Sequence, residues 1–103
     1  MNYKIIFLKP ASEELEESFY WYENKRLNLG LELIEEIEYY LNLIENNPLL
    51  FEKYNDKEDL RRIPLIRFPF LIIYWIEERE KIIYISMLFS IQNENQNSND
   101  RKS

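Results

Sequence analysis

The chain contains no cysteine and no histidine among its 103 residues, and it has a single glycine. Without cysteine it can form neither a disulfide nor a thiolate metal site. Without histidine it lacks the commonest general base of enzymes and the commonest metal ligand. Any acid–base chemistry would therefore have to use carboxylates, tyrosine, lysine or arginine.

Long apolar runs are absent as well. No run approaches the roughly 20 residues that cross a bilayer, and the N-terminal MNYKIIFLKP is interrupted too early by Pro10 to serve as a signal peptide. We therefore expect a soluble, cytoplasmic protein without a membrane partner. The length fits one compact domain, which we place at residues 1–92. Residues 93–103 have no apolar side chain and are predicted to form a disordered tail.

Charge is distributed unevenly along the chain, whose formal net charge is −6. Residues 10–59 contain fourteen acidic and four basic side chains, whereas residues 60–103 contain five acidic and seven basic ones. An acidic surface opposes the approach of nucleic acid, because phosphate contacts need clustered lysine and arginine. Only a local basic patch in the second half could bind phosphates.

Apolar periodicity in the first half predicts a strand followed by two helices. Residues 3–8 are rich in β-branched and aromatic side chains and predict a strand. Pro10 suits a first helical turn, and Ser12 is a possible N-cap. Two helical stripes follow, the first formed by Ala11, Leu15, Phe19 and Tyr22 and the second by Leu33, Ile34, Ile37, Leu41 and Ile44. The hairpin of these helices must cover a sheet, since each large aliphatic side chain gains roughly 1.5–3 kcal/mol on burial.

The second half predicts three further strands at residues 60–66, 70–77 and 81–89. Pro64 cannot donate to a ladder, which indicates an edge strand or a bulge. The nearly continuous apolar run at residues 70–76 indicates a central strand covered on both faces, by the helices on one side and by a partner on the other. The predicted fold class is α+β: an N-terminal strand, an α-helical hairpin and a three-stranded antiparallel meander, with the helices on one face of the sheet.

Four short motifs occur in order along this pattern: Trp21-Tyr22-Glu23, Asn47-Pro48, Arg61-Arg62 and Arg67-Phe68-Pro69-Phe70. Their order resembles the ParE branch of the RelE/ParE superfamily, and the resemblance runs over nearly the whole chain. It implies the toxin of a type II toxin–antitoxin pair, neutralised by a small antitoxin protein. ParE-like members block DNA gyrase without cutting nucleic acid, whereas RelE-like members cut messenger RNA on the ribosome.

Two positions depart from what the resemblance implies. Leu71 stands where RelE-like nucleases typically carry an arginine, which disfavours the nuclease alternative. Phe89 stands where both branches often have a histidine, so a degenerate toxin that only binds its antitoxin is a further alternative. RNA cleavage needs a base, an acid and cations. The remaining acid–base candidates are not placed by any motif, so the catalytic residues are unknown; these candidates are Lys57, Glu58, Tyr74 and Tyr84.

The candidates for binding the target or the antitoxin are Arg61, Arg62, Arg67, Gln92 and Asn93. Arg61 and Arg62 are neighbours on a strand and must point to opposite faces, and bidentate arginine suits carboxylate recognition. The alternative for these arginines is a solvated charge or a salt bridge to the acidic helices. We expect no metal and no cofactor. The expected partners are a cognate antitoxin and DNA gyrase, with the ribosome as the alternative target, and the assembly is a homodimer or a toxin–antitoxin hetero-oligomer.

Overall fold

A computed structural model describes residues 2–55 and 59–90, the last two of these by their backbone alone. The chain folds in the predicted order of one strand, two helices and three strands. The elements are β1 (Lys4–Phe7), α1 (Lys9–Lys25), α2 (Leu29–Asn46), β2 (Arg61–Pro64), β3 (Phe70–Glu77) and β4 (Ile82–Ser90). The predicted α+β class is confirmed. Neither described helix has both the length and the apolar character needed to cross a membrane.

The four strands form one sheet in the order β1-β4-β3-β2. Strands β2, β3 and β4 make the predicted antiparallel meander. Strand β1 runs parallel to β4, so the sheet is mixed, which the sequence did not predict. A parallel neighbour needs a long connection. Here the helical hairpin carries the chain from β1 to β2 at the opposite edge of the sheet, and β3 and β4 then lead back to β1.

Helix α1 begins earlier than its sequence suggests. The expectation that Ser12 caps the helix is wrong: Leu8 is the N-cap residue, Pro10 lies in the first turn, and no side chain caps the helix. The Ser12 hydroxyl instead donates to the Lys9 carbonyl, 3.0 Å away. The fixed φ of Pro10 favours a first helical turn, and this preference outweighs the capping tendency of a serine two residues further on.

The link between the two helices depends on Glu23 and on the only glycine. The Glu23 carboxylate accepts hydrogen bonds from the backbone N–H groups of Asn28, at 2.7 Å, and Gly30, at 2.9 Å. Asn28 adopts a left-handed conformation with φ 72°. A Cβ atom on Gly30 would lie 2.6 Å from the Phe19 carbonyl oxygen. Glycine is therefore required here because the first turn of α2 approaches the backbone of α1.

The hydrophobic core lies between the helical hairpin and one face of the sheet, which we call the inner face. Both predicted helical stripes contribute to it, as expected from their spacing. Its buried members are Ala11, Leu33, Ile37, Tyr40, Ile44, Ile63, Leu65, Phe68, Phe70, Ile72, Tyr74, Ile83, Ile85 and Leu88. The opposite face, which we call the open face, carries neither of the described helices.

A β-bulge in β4 decides which side chains reach each face. Tyr74 pairs with Ile85, but the preceding residue Ile73 pairs with Met87, so Ser86 is an extra residue on β4. Ile85 consequently points inward and is fully buried, while Met87 lies on the open face with 42% of its surface exposed. A regular strand would have placed these two side chains on the same face.

Candidate functional site

The paired arginines of β2 point to opposite faces, as the strand geometry predicts. Arg61 faces the inner side, where its Nη1 atom donates to the Phe51 carbonyl at 2.7 Å. Its register partner Tyr74 donates its hydroxyl to the Pro48 carbonyl, also at 2.7 Å. Burial raises the pKa of Tyr74 to about 12. These two side chains therefore fasten the segment after α2 to the sheet, and the neutral phenol is poorly suited to act as a base.

Arg62 lies at the exposed edge of β2. Its guanidinium forms an ion pair with the Glu52 carboxylate at 3.6 Å, and both side chains are substantially exposed. Such a pair contributes little to stability, because water screens it. A mainly apolar hollow of about 380 Å³ opens beside it, lined by Tyr40, Phe51, Glu52, Arg62, Pro64 and Ile66. Arg62 is thus available to meet a partner at the rim of an apolar depression.

Arg67 lies in the turn between β2 and β3, and α2 holds it there. Its guanidinium forms an ion pair with Glu32, which also pairs with Arg26. One turn further along α2, the Glu36 carboxylate accepts the backbone N–H groups of Ile66 and Arg67, at 2.8 and 3.1 Å. The Arg67 guanidinium beside Glu32 holds the pKa of that carboxyl below its usual value. The turn is therefore fixed, and its arginine stays at the surface.

Ile66 is the residue that sequence reasoning missed. It stands at the tip of the same turn with 84% of its surface exposed, and it lines the hollow that Arg62 borders. Arg62, Ile66 and Arg67 form a surface that we call the arginine turn. The available sequence signal was an apolar residue between Pro64 and Pro69 and beside Arg67. The same pattern is equally typical of the end of a strand.

The open face of the sheet carries apolar and aromatic side chains without a helix over them. Trp75 and Tyr84 pair across β3 and β4 with ring centroids 5.1 Å apart. Leu71, Trp75 and Tyr84 are half-buried, and Met87 is exposed. The prediction that a partner covers the central strand requires an apolar surface opposite the helices, and the open face is such a surface. That a partner covers it stays a prediction.

The other candidates from the sequence divide into two groups. Tyr84 lies on the open face, next to Ile85, the register partner of Tyr74, so the two tyrosine side chains are on opposite faces of the sheet. Lys57, Glu58, Gln92 and Asn93 lie outside the described residues. Within residues 2–55 and 59–90, no group of three or more carboxylates is arranged to hold a metal ion.

Comparison with protein families gives a match over residues 5–90 to the model of the ParE toxin of the type II toxin–antitoxin system parDE. This match covers most of the chain. The chain belongs to the ParE toxin family. A comparison with curated protein sequences gave no match.

Solved structures share the fold of this ParE-family chain at low identity. The chromosomal ParDE toxin–antitoxin system of P. aeruginosa aligns with a TM-score of 0.70 and 14% identity, over 86% of this chain and 96% of that one. The isolated E. coli RelE toxin aligns with a TM-score of 0.67 and 16% identity, over 85% and 83%. The RelBE2 complex of Mycobacterium tuberculosis gives 0.59 and 14%, over 87% and 99%. ParE-like and RelE-like structures are thus about equally similar in fold.

Proposed function

We propose that this ParE-family chain is a toxin that inhibits DNA gyrase by protein–protein contact and is neutralised by a cognate antitoxin in the cytoplasm. The observation that carries the proposal is that two groups with potential catalytic chemistry already serve as structural hydrogen-bond donors. The Arg61 guanidinium and the Tyr74 hydroxyl both donate to backbone carbonyls beneath the sheet. A messenger RNA endonuclease needs such groups free to reach the scissile phosphate.

The other two candidate arginines favour contact with a protein over catalysis. Arg62 and Arg67 lie at the surface, each beside a carboxylate, and Ile66 projects close to them. Interfaces combine an apolar anchor with arginine at the rim, because arginine binds carboxylates in two-point geometry. The arginine turn is therefore our proposed target-binding surface. Gln92 and Asn93 remain proposed contributors.

The open face is our proposed antitoxin surface. It presents Trp75, Tyr84 and Met87 on the side away from the helices. An exposed apolar sheet face of this kind is typical of a protein interface, since aromatic and methionine side chains gain most when a partner excludes water from them. P. aeruginosa ParDE is a toxin–antitoxin system and M. tuberculosis RelBE2 is a toxin–antitoxin complex. Both share the fold of this chain, which supports the choice of partner.

The test of the target uses the purified chain in two assays run in parallel. In the first, gyrase supercoils relaxed plasmid with increasing amounts of the chain. In the second, ribosomes loaded with messenger RNA are incubated with it and the RNA ends are mapped. We expect loss of supercoiling and intact RNA. Cleaved RNA with unaffected supercoiling would contradict the proposal and establish the RelE-like alternative, and inactivity in both assays would establish the degenerate toxin.

The test of the antitoxin surface compares two exposed apolar side chains. Met87→Asp places a charge on the open face, and Ile66→Asp places the same charge at the arginine turn. We expect Met87→Asp to abolish co-purification with the antitoxin, because it buries an unpaired charge, and Ile66→Asp to leave it intact. Equal retention of the antitoxin by both variants would exclude the open face.

A further inference from the structure

The β2–β3 turn has no backbone framework at its two outermost residues. Leu65 donates its backbone N–H to the Phe70 carbonyl at 3.0 Å, and Phe70 donates to the Phe68 carbonyl at 2.8 Å. Between these bonds, the amides of Ile66 and Arg67 donate to no backbone carbonyl of the described chain. The shape of the turn at these two residues therefore has to be set by a side chain.

That side chain is Glu36 of α2. Its Oε2 atom accepts the N–H groups of Ile66, at 2.8 Å, and Arg67, at 3.1 Å, while Oε1 lies 3.3 Å from the Arg67 nitrogen. Two successive N–H groups in a turn form a concavity that suits an anion. Leu33 and Ile37, on either side of Glu36 along the helix, are buried in the core. The core thus sets the place of the carboxylate, and the carboxylate sets the place of the turn.

This contact should contribute little to stability and much to the shape of the surface. Ile66 and Arg67 are exposed, so water can accept their amides once the carboxylate is removed. The ion pair between Arg67 and Glu32 restrains the guanidinium and not the backbone. Without Glu36 the turn would therefore sample other shapes. The apparent affinity for a partner falls in proportion to the fraction of the chain that has the binding shape.

We infer that Glu36 is a positioning residue of the arginine turn, whose carboxylate holds Ile66 and Arg67 in the orientation that meets the target. Glu36 itself does not contact the target, because both of its oxygens face the amides of the turn. The inference rests on the proposed contact with gyrase and adds the residue that shapes the contacting surface.

The experiment separates the reach of the Glu36 side chain from its charge. Glu36→Gln removes the charge but keeps the length and one oxygen, and Oε2 alone already accepts both amides. Glu36→Asp keeps the charge but is one methylene too short. The same two changes at Glu35, one position earlier on the exposed side of α2, are the matched controls. The concentration of each full-length variant that halves gyrase supercoiling is measured, with a thermal melt to check folding.

We expect Glu36→Asp to melt close to wild type but to need at least about a tenfold higher concentration, as for a turn that has its binding shape a tenth of the time or less. Glu36→Gln and both Glu35 variants should inhibit as wild type does. Hydrogen exchange gives a second readout that does not involve gyrase. The amides of Ile66 and Arg67 should exchange faster in Glu36→Asp than in wild type or Glu36→Gln.

The outcomes distinguish this inference from the function on which it rests. Wild-type chain that inhibits gyrase no better than Glu36→Asp would overturn the positioning role and leave the proposed target standing. Weak inhibition by Glu36→Gln would overturn it as well, since the charge and not the reach would then matter. A Glu36→Asp chain that fails to fold would make the contact a structural one and also overturn the inference. Wild-type chain that leaves supercoiling unaffected would overturn both proposals.

Discussion

The inner and open faces of the sheet carry similar side chains but differ in how far those side chains are buried. On the inner face, Ile85 and Tyr74 are completely buried beneath the helices. On the open face, Met87 is exposed, and Trp75 and Tyr84 are half-buried. The comparison shows that apolar character alone does not assign a side chain to the core, because an apolar side chain of a strand can also point away from the helices and stay partly exposed.

The largest expected difference between the faces is in the free energy of unfolding. Ile85→Ala should lower it by roughly 2–5 kcal/mol, because the cavity lies between packed layers. Met87→Ala should lower it by under about 1 kcal/mol, because water already reaches that side chain. Urea denaturation measures both. Equal losses would show that the open face is structurally part of the core.

A smaller difference is expected for two tyrosines that lie on opposite faces. Tyr74→Phe removes the hydroxyl that donates to the Pro48 carbonyl, and a buried acceptor left without a partner costs about 1–3 kcal/mol. Tyr84→Phe, on the open face, should change the free energy of unfolding by less than about 0.5 kcal/mol. If both variants unfold at the wild-type urea concentration, the Tyr74 hydrogen bond does not fasten the segment after α2.

The arginine turn offers a case in which stability and function should separate. Arg67→Ala removes an exposed ion pair with Glu32 and should lower the free energy of unfolding by about 1 kcal/mol or less. It should nevertheless abolish growth inhibition when the toxin is expressed without antitoxin.

Arg79→Ala, in the exposed β3–β4 turn, is the matched control and should remain toxic. A large loss of stability in Arg67→Ala would show that the arginine is structural. Unchanged toxicity in a stable Arg67→Ala protein would move the target contact away from the arginine turn.

The smallest expected effect concerns pH. Arg67 and Arg26 lower the pKa of Glu32 in the folded chain, so the charged carboxylate is favoured by folding. Its contribution to stability is present above the unfolded pKa of about 4.3 and is lost as the pH falls through the lower folded value. Glu32→Gln should flatten the melting temperature between about pH 5 and pH 3 relative to wild type. Glu17→Gln is the control, and an equal change there would show a general charge effect.

Much of the fold followed from the sequence because local patterns and long-range packing agreed. The helical stripes predicted which faces of α1 and α2 are buried, and Pro64 predicted that β2 lies at an edge. The turn between β3 and β4 contains no glycine, yet it forms because Lys81 adopts a left-handed conformation with φ 57°. Backbone strain of this kind leaves no clear trace in composition.

The candidate site was harder to predict because each side chain's neighbours come from distant parts of the chain. The sequence showed that Arg61 and Arg62 must point apart, but the carbonyl that Arg61 reaches belongs to Phe51. It indicated Arg67 as a surface charge, and the structure pairs it with Glu32, 35 residues earlier. No spacing rule connects such pairs, since only the packing of α2 beside the β2–β3 turn brings them together.

The sequence by itself determined the order and type of the elements, the acidic helical half and the absence of histidine and cysteine chemistry. These properties depend on local periodicity and composition. The tertiary structure alone decided that β1 joins β4 in parallel, and that the extra residue Ser86 sends Ile85 inward and Met87 outward. Both depend on strand pairing, in which one added residue shifts all later side chains to the other face.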